Sequence, residues 1–299
     1  MLTRKRGKTV RTLILCVLAA SLCLIHKPSK VRATWLWDAS LVAKDAERIV
    51  SFAEQNRINL LYLQIDRKLD FGVYRAFIEK ASESGIAVHA LDGDPSWAKE
   101  ENKPRIAELV DWVKSYNEEA SSLQRLKGIH LDVEPYNRPG WETGQRQSIV
   151  DGWMAAIEYF TDIAGSLNDV ELGADVPFWL DEIPANAKEE QSLSRWMIEK
   201  LDHITIMAYR DRALSPGGIV EAAKNEVETA SVLGKKAIVA VETNPTGESY
   251  TTFYGKDAGD LMRQTLLVEK SFDGYAAYQG IAVHDYTGWS NLAKRTDRP

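Results

Sequence analysis

His130, Asp132 and Glu134 stand at every second position of the run GIHLDVE, an imidazole and two carboxylates in regular alternation with Ile129, Leu131 and Val133. In an extended strand successive side chains point to opposite faces, so the three polar groups share one face and the apolar ones take the other. Such groups are costly to bury without a use or a full set of partners. The chemistry they suit is proton transfer, in which one carboxyl donates a proton while a neighbouring charge sets its pKa. A purely structural polar network is the competing reading. Other acids also end apolar runs: Asp38, Asp66, Asp92 with Asp94, Asp175, Glu242 and Asp285, with Tyr209 in the equivalent place. Taken singly, Asp38, Asp66 and Asp285 suit helix capping equally well, because Asp after a strand often accepts the first N–H groups of the next helix.

The elements that must position these groups recur regularly. Eight β-rich runs, 33–38, 59–66, 86–92, 128–134, 170–176, 203–209, 236–242 and 280–286, alternate with amphipathic stretches such as 43–56, 73–84, 147–167 and 218–234. Asn56, Gly85 and Gly234 follow helices as C-caps would. Eight such units in one uninterrupted span specify an α/β fold, a single (β/α)8 TIM barrel covering residues 34–299. An open doubly wound sheet is the rival, but no glycine fingerprint follows the first strand. In a closed barrel the site lies at the C-terminal ends of the strands, where these acids converge.

Residues 1–33 stand apart. They contain eight of the 37 Lys and Arg and no acid, with the apolar run LILCVLAASLCLI at 13–25 and V-R-A ending at Ala33. This reads as a signal peptide cleaved after Ala33, with an uncleaved anchor as the alternative, and implies a secreted or cell-envelope protein. The remainder carries 29 basic against 43 acidic residues, a formal charge of −14. Nucleic acid and anionic membranes are poor partners for such a surface. Both cysteines, Cys16 and Cys23, fall in the leader, so the barrel has no disulfide.

L-D-V-E at 131–134, together with I-M-A-Y-R-D at 206–211, resembles the motifs of family 18 of the glycoside hydrolases, the chitinase-like barrels. That family carries D-x-x-D-x-D-x-E on strand four and M-x-Y-D on strand six. Asp132, Glu134, Met207 and Tyr209 match, whereas Lys127, His130 and Arg210 replace acids. The resemblance implies that Glu134 is a general acid, and that Asp132 with Tyr209 holds a 2-acetamido group whose carbonyl attacks the anomeric carbon. A second route on the same scaffold pairs Glu134 with Glu242 as nucleophile. A third reading is a barrel that binds a glycan or a protein without cleaving it. His89, His130 and His284 raise metal chemistry, yet no H-x-H or H-E-x-x-H spacing supports it, and neither a metal nor another cofactor is expected.

Carbohydrate is the expected ligand and a monomer the expected state. Flat rings suit the apolar faces of sugars. Trp35, Trp37, Trp97, Trp141, Trp179 and Trp289 lie at or beyond strand ends, and one of Trp35 and Trp37 is expected to pack away from the lumen. Residues expected to touch substrate are the rings Trp37, Tyr136, Trp179 and Trp289, the acids Asp66, Asp92, Asp94, Asp175 and Asp285, and His130, Met207 and Arg210.

Overall fold

A computed structural model describes residues 30–186 and 190–296. Eight parallel strands close into a barrel in sequence order: β1 (Val31–Leu36), β2 (Leu60–Gln64), β3 (Ala87–Asp92), β4 (Gly128–Leu131), β5 (Glu171–Pro177), β6 (His203–Met207), β7 (Lys236–Glu242) and β8 (Tyr278–His284). The expected (β/α)8 fold is therefore the fold observed. Strand alternation produces two cores. Residues such as Ile129, Leu131, Ile204 and Val239 face the surrounding helices, whereas Ala33, Trp35, Tyr62, Leu91, Ile238 and Ala240 fill the lumen.

The helices begin and end on local signals. Asp70 accepts the Gly72 N–H at 2.7 Å to cap helix Phe71–Glu83, and Asp257 does the same for Ala258–Phe272 through Gly259 at 2.9 Å. Gly85 and Gly234 take the left-handed conformation after their helices, as expected. At the first of the three expected caps that conformation falls on Arg57, one residue beyond Asn56.

The start of the barrel differs from the sequence expectation. Val31, Arg32 and Ala33 are strand residues, paired with Gly280, Ile281 and Ala282 of β8, and Arg32 also binds Glu269 at 3.0 Å. A boundary after Ala33 would cut β1 in half. V-R-A has the small-residue ending of a leader, but closing the barrel against β8 requires those same residues. The leader itself lies outside the described residues. Among those described, no helix is long and apolar enough to cross a membrane.

Candidate active site

Two buried carboxyl groups, Asp132 and Asp175, come from the ends of β4 and β5. Asp132 follows the last residue of β4, and its N–H still bonds the Asp92 carbonyl at 3.1 Å, so the alternation set by His130 carries on past the strand. One of its oxygens, Oδ1, is buried and accepts no hydrogen bond. Asp175 is buried on β5. Its Oδ2 accepts the Trp35 indole N–H at 3.0 Å from the far side of the lumen, and its Oδ1 lies 3.1 Å from His130 Nε2.

Burial pushes both Asp132 and Asp175 well above the usual carboxylate range. The charges of Asp175 and Glu134 push Asp132 further the same way, with His284 opposing. At Asp175 the Trp35 bond opposes the rise, Glu134 adds to it and His284 again opposes. Both groups therefore favour the protonated form, and ionisation of Asp175 or Glu134 opposes ionisation of Asp132.

Glu134 lies in the loop beyond β4, where it accepts the Tyr136 hydroxyl and the Asn137 amide at 3.1 Å. Tyr209, two residues past β6, is held a neutral phenol by burial and by the charges of Glu242, Asp175, Asp132 and Glu134. Asp132, Asp175, Glu134 and Glu242, from the ends of β4, β5 and β7, all act electrostatically on Tyr209 at the end of β6. Met207 is buried two residues below Tyr209 on the same face.

Glu242 ends β7, opposite His284 in the register with β8. Its Oε1 accepts the Thr243 and Asn244 N–H groups at 2.7 and 2.6 Å, and its Oε2 lies 2.8 Å from His284 Nδ1. Trp37 Nε1 donates to His284 Nε2 at 3.0 Å. An indole can only donate, so Nε2 needs a lone pair and the hydrogen of a neutral His284 sits on Nδ1, facing Glu242. Burial opposes protonation of His284, while the bond to Glu242 and the charges of Glu242, Asp285 and Asp175 outweigh it and raise the imidazole's pKa. Protonation therefore has to break the Trp37 bond. With both oxygens committed, Glu242 is a strut for His284 and Trp37 as it stands, not an open nucleophile.

Several expected substrate contacts do other work. Asp66 accepts the Lys68 N–H at 2.9 Å within a loop turn, Asp285 caps the last helix through the Gly288 N–H at 2.8 Å as its place after a strand also allowed, and Asp94 caps the short helix Pro95–Ala98 through the Ser96 N–H at 2.8 Å. Asp92 has the outward parity of Val88 and Ala90 and pairs with Arg67 at 3.0 Å and Gln64 at 3.1 Å. Arg210 ties down the loop after β6, donating to the Tyr209 and Gly217 carbonyls at 2.8 and 3.0 Å with its guanidinium over Phe178. Trp289 is buried edge-on against Phe52, and Trp97 and Trp141 are also buried. Trp179 stays half-buried, edge-on to Tyr136 at 5.0 Å, and Trp37 is half-buried beside His284. Trp35 and Trp37, two residues apart, share a face, so both aim inward and neither is a loop packer.

Two residues of this network were missed in the sequence: His203, which contacts His130 in the lumen, and Trp35 as the anchor of Asp175. A signal for His203 existed, since His203, Thr205, Met207 and Tyr209 alternate as the strand-four group does. Among the described residues no group of three or more His, Cys, Asp or Glu could hold a metal ion.

No protein-family model matches the chain, and no curated protein matches it. Solved structures do. A chitinase from Bacteroides thetaiotaomicron is 9% identical with a TM-score of 0.55, covering 90% of this chain and 96% of its own. A family 18 chitinase from Pseudoalteromonas aurantia is 11% identical with a TM-score of 0.54, covering 88% and 99%. The xylanase and α-amylase inhibitor protein of Scadoxus multiflorus is 11% identical with a TM-score of 0.53, covering 90% and 97%. At such identity the likeness establishes the shared barrel fold.

Proposed function

We propose that this barrel hydrolyses glycosidic bonds of an extracellular glycan, with 2-acetamido sugars favoured. The observation that carries the reading is the buried pair Asp132 and Asp175 beside Glu134, with one Asp132 oxygen buried and without a hydrogen-bond partner. Glu134 is the general acid for the leaving oxygen. Asp132 turns to present its unpartnered oxygen, buried in the free protein, to the acetamido N–H, and Tyr209, kept neutral, donates to the acetamido carbonyl as that carbonyl attacks the anomeric carbon. Trp37 and Trp179 supply flat apolar contact for sugar rings. The test is turnover of acetamido and plain glucosyl oligosaccharides by the native protein and by Glu134→Gln. Equal turnover of both sugar types would remove the substrate-assisted route.

A second reading is a groove that binds a glycan without cleaving it. It is favoured by the bonds that occupy Glu134, from Tyr136 and Asn137, and by His130 and Arg210 where the resembling family has acids. Binding that quenches tryptophan fluorescence, with no product formed, distinguishes it. The leader supports export to the cell surface or beyond, and a cut upstream of Val31, or none, is what an intact β1 requires.

A further inference from the structure

We propose that Asp175, His130, His203 and Glu171 form a proton relay inside the barrel, linking the buried carboxyl pair at the upper mouth to solvent at the lower one. The relay stands on the geometry of the lumen and holds whether or not the barrel cleaves a glycan.

The register builds it. His130 on β4 and His203 on β6 both pair with Gly173 of the intervening β5. Any Cβ on Gly173 would come within 2.1 Å of His203 Nε2, so the missing side chain is what lets the two imidazoles meet. His130 Nδ1 and His203 Nε2 are 3.2 Å apart, with both rings buried. Above them, His130 Nε2 lies 3.1 Å from Asp175 Oδ1, although the ring N–H is not aimed along that line and both atoms lack an aligned partner. Buried polar atoms are nearly always satisfied, and a small turn of either side chain completes the bond. Below them, His203 Nδ1 is also unpartnered and lies 3.7 Å from Glu171 Oε2, whose other oxygen holds Lys236 Nζ at 2.6 Å, and one water closes the gap without breaking that ion pair. His203 and Glu171 line a cavity of about 310 Å³ at the N-terminal end of the barrel.

The imidazoles carry protons as neutral rings. Burial holds His130 and His203 down to about 3, with His130 and Lys236 lowering His203 further while Glu171 and Asp202 oppose. Tyr62 from β2 stacks on His130, and its hydroxyl is taken up by Thr205. His89 from β3 lies 5.4 Å from His203 and is held well below its ordinary value by burial, then by His203, His130 and Lys236. Around Asp175 the facing groups are Trp35, Glu134, Asp132 and His284.

Two tautomeric states follow. When Asp175 carries its proton it donates to His130 Nε2, His130 Nδ1–H donates to His203 Nε2, and His203 Nδ1–H faces the Glu171 carboxylate across the water. Protons then move one place each: from Asp175 to His130 Nε2, from His130 Nδ1 to His203 Nε2, and from His203 Nδ1 to the water, which passes one of its own to Glu171. No bond between heavy atoms changes, neither ring becomes a cation, and the negative charge passes from Glu171 to Asp175. Glu171 then releases its proton to solvent. A ligand that covers the upper mouth would leave this route open, so the Asp132 and Asp175 pair could still exchange protons.

The test is 15N NMR of the full chain labelled at histidine, followed between about pH 4 and pH 9, where buried carboxyls with raised pKa values titrate. His130 and His203 should pass together from the Nδ1–H to the Nε2–H tautomer as pH rises, with one midpoint and no cationic form. Glu171→Gln, at a half-exposed position, should lower that common midpoint by roughly half a unit or more, because the low-pH state loses its charged acceptor. A single tautomer throughout, two separate midpoints, or an unmoved midpoint in Glu171→Gln would overturn the relay. No substrate is needed, so an inactive barrel leaves the result readable.

Discussion

Asp132 and Glu242 are carboxylates at the same barrel mouth, two strand ends with opposite states of satisfaction. Glu242 accepts two backbone N–H groups and faces an imidazole that is itself held by Trp37. Asp132 has a buried oxygen with no partner, and its neighbours Asp175 and Glu134 are acids. A carboxylate with both oxygens hydrogen-bonded is a structural part, and breaking it costs stability. A charge left short of partners costs stability as it stands and gains them when a ligand arrives. A raised carboxyl pKa does not separate the two cases by itself. Glu226, on helix Ile219–Leu233, is buried, and burial with the charge of Asp181 pushes it up to about 8 against the opposing effect of Ser194, yet it lies outside the mouth network.

The largest expected effect tests the unsatisfied side. Glu134→Gln should lower turnover of an acetamido oligosaccharide by a factor of about 10² to 10⁴, the usual loss for a positioned acid. Asp132→Asn should also cause a large loss, while Glu242→Gln should retain more activity than either. Steady-state assays of the three variants check the order, and an inactive Glu242→Gln beside an active Asp132→Asn would reverse the comparison and favour the covalent route.

Stability should show the opposite order. Glu242→Gln turns one of the hydrogen-bonded oxygens into a donor facing His284 or the two N–H groups, at a cost of about 1 to 3 kcal/mol. Urea unfolding at neutral pH measures it, and Asp132→Asn, which replaces a buried carboxyl that lacks a complete set of partners, should cost less.

Glu226 supplies the pH-dependent control. Its folded pKa lies above its unfolded value, so the protonated acid favours the fold, and that stability is present at low pH and declines as pH rises from the unfolded value of 4.5 toward about 8. Glu226→Gln should therefore raise the unfolding midpoint above pH 8 and change it little near pH 4, without affecting glycan turnover. An equal effect at both pH values would mean that Glu226 titrates normally.

His284 titrates in the other sense. Its folded pKa is raised, so the stabilisation from its charged pairing with Glu242 is complete below the unfolded value of 6.5 and fades as pH rises through the folded value. Protonation also releases Trp37, so tryptophan fluorescence should change with the same midpoint, and Trp37→Phe should reduce that change to the part carried by Trp35, whose ring lies 5.2 Å from His284. The smallest effect is expected at a cap: Asp94→Ala should cost about 0.5 to 2 kcal/mol in thermal unfolding and leave turnover unchanged, as a substrate contact would not.

Period and parity, both local properties of the chain, determined the eight-stranded barrel and the common face of His130, Asp132 and Glu134, because neighbouring residues decide which way a side chain leaves a strand. The same rule, applied two residues at a time, also places Trp35 with Trp37 and His203 with Tyr209. Tertiary structure alone decided which of those side chains meet. Asp175 finds Trp35 across the lumen, His130 finds His203 over Gly173, and Glu242 faces His284 because closure and stagger set the strand register. The beginning of β1 at Val31 has the same origin: a basic and small-residue tail reads as a leader until β8 needs a partner for Gly280 and Ile281. The division between caps and mouth acids was likewise invisible locally, since an Asp after a strand looks the same whether the nearest N–H or the far wall of the barrel claims it.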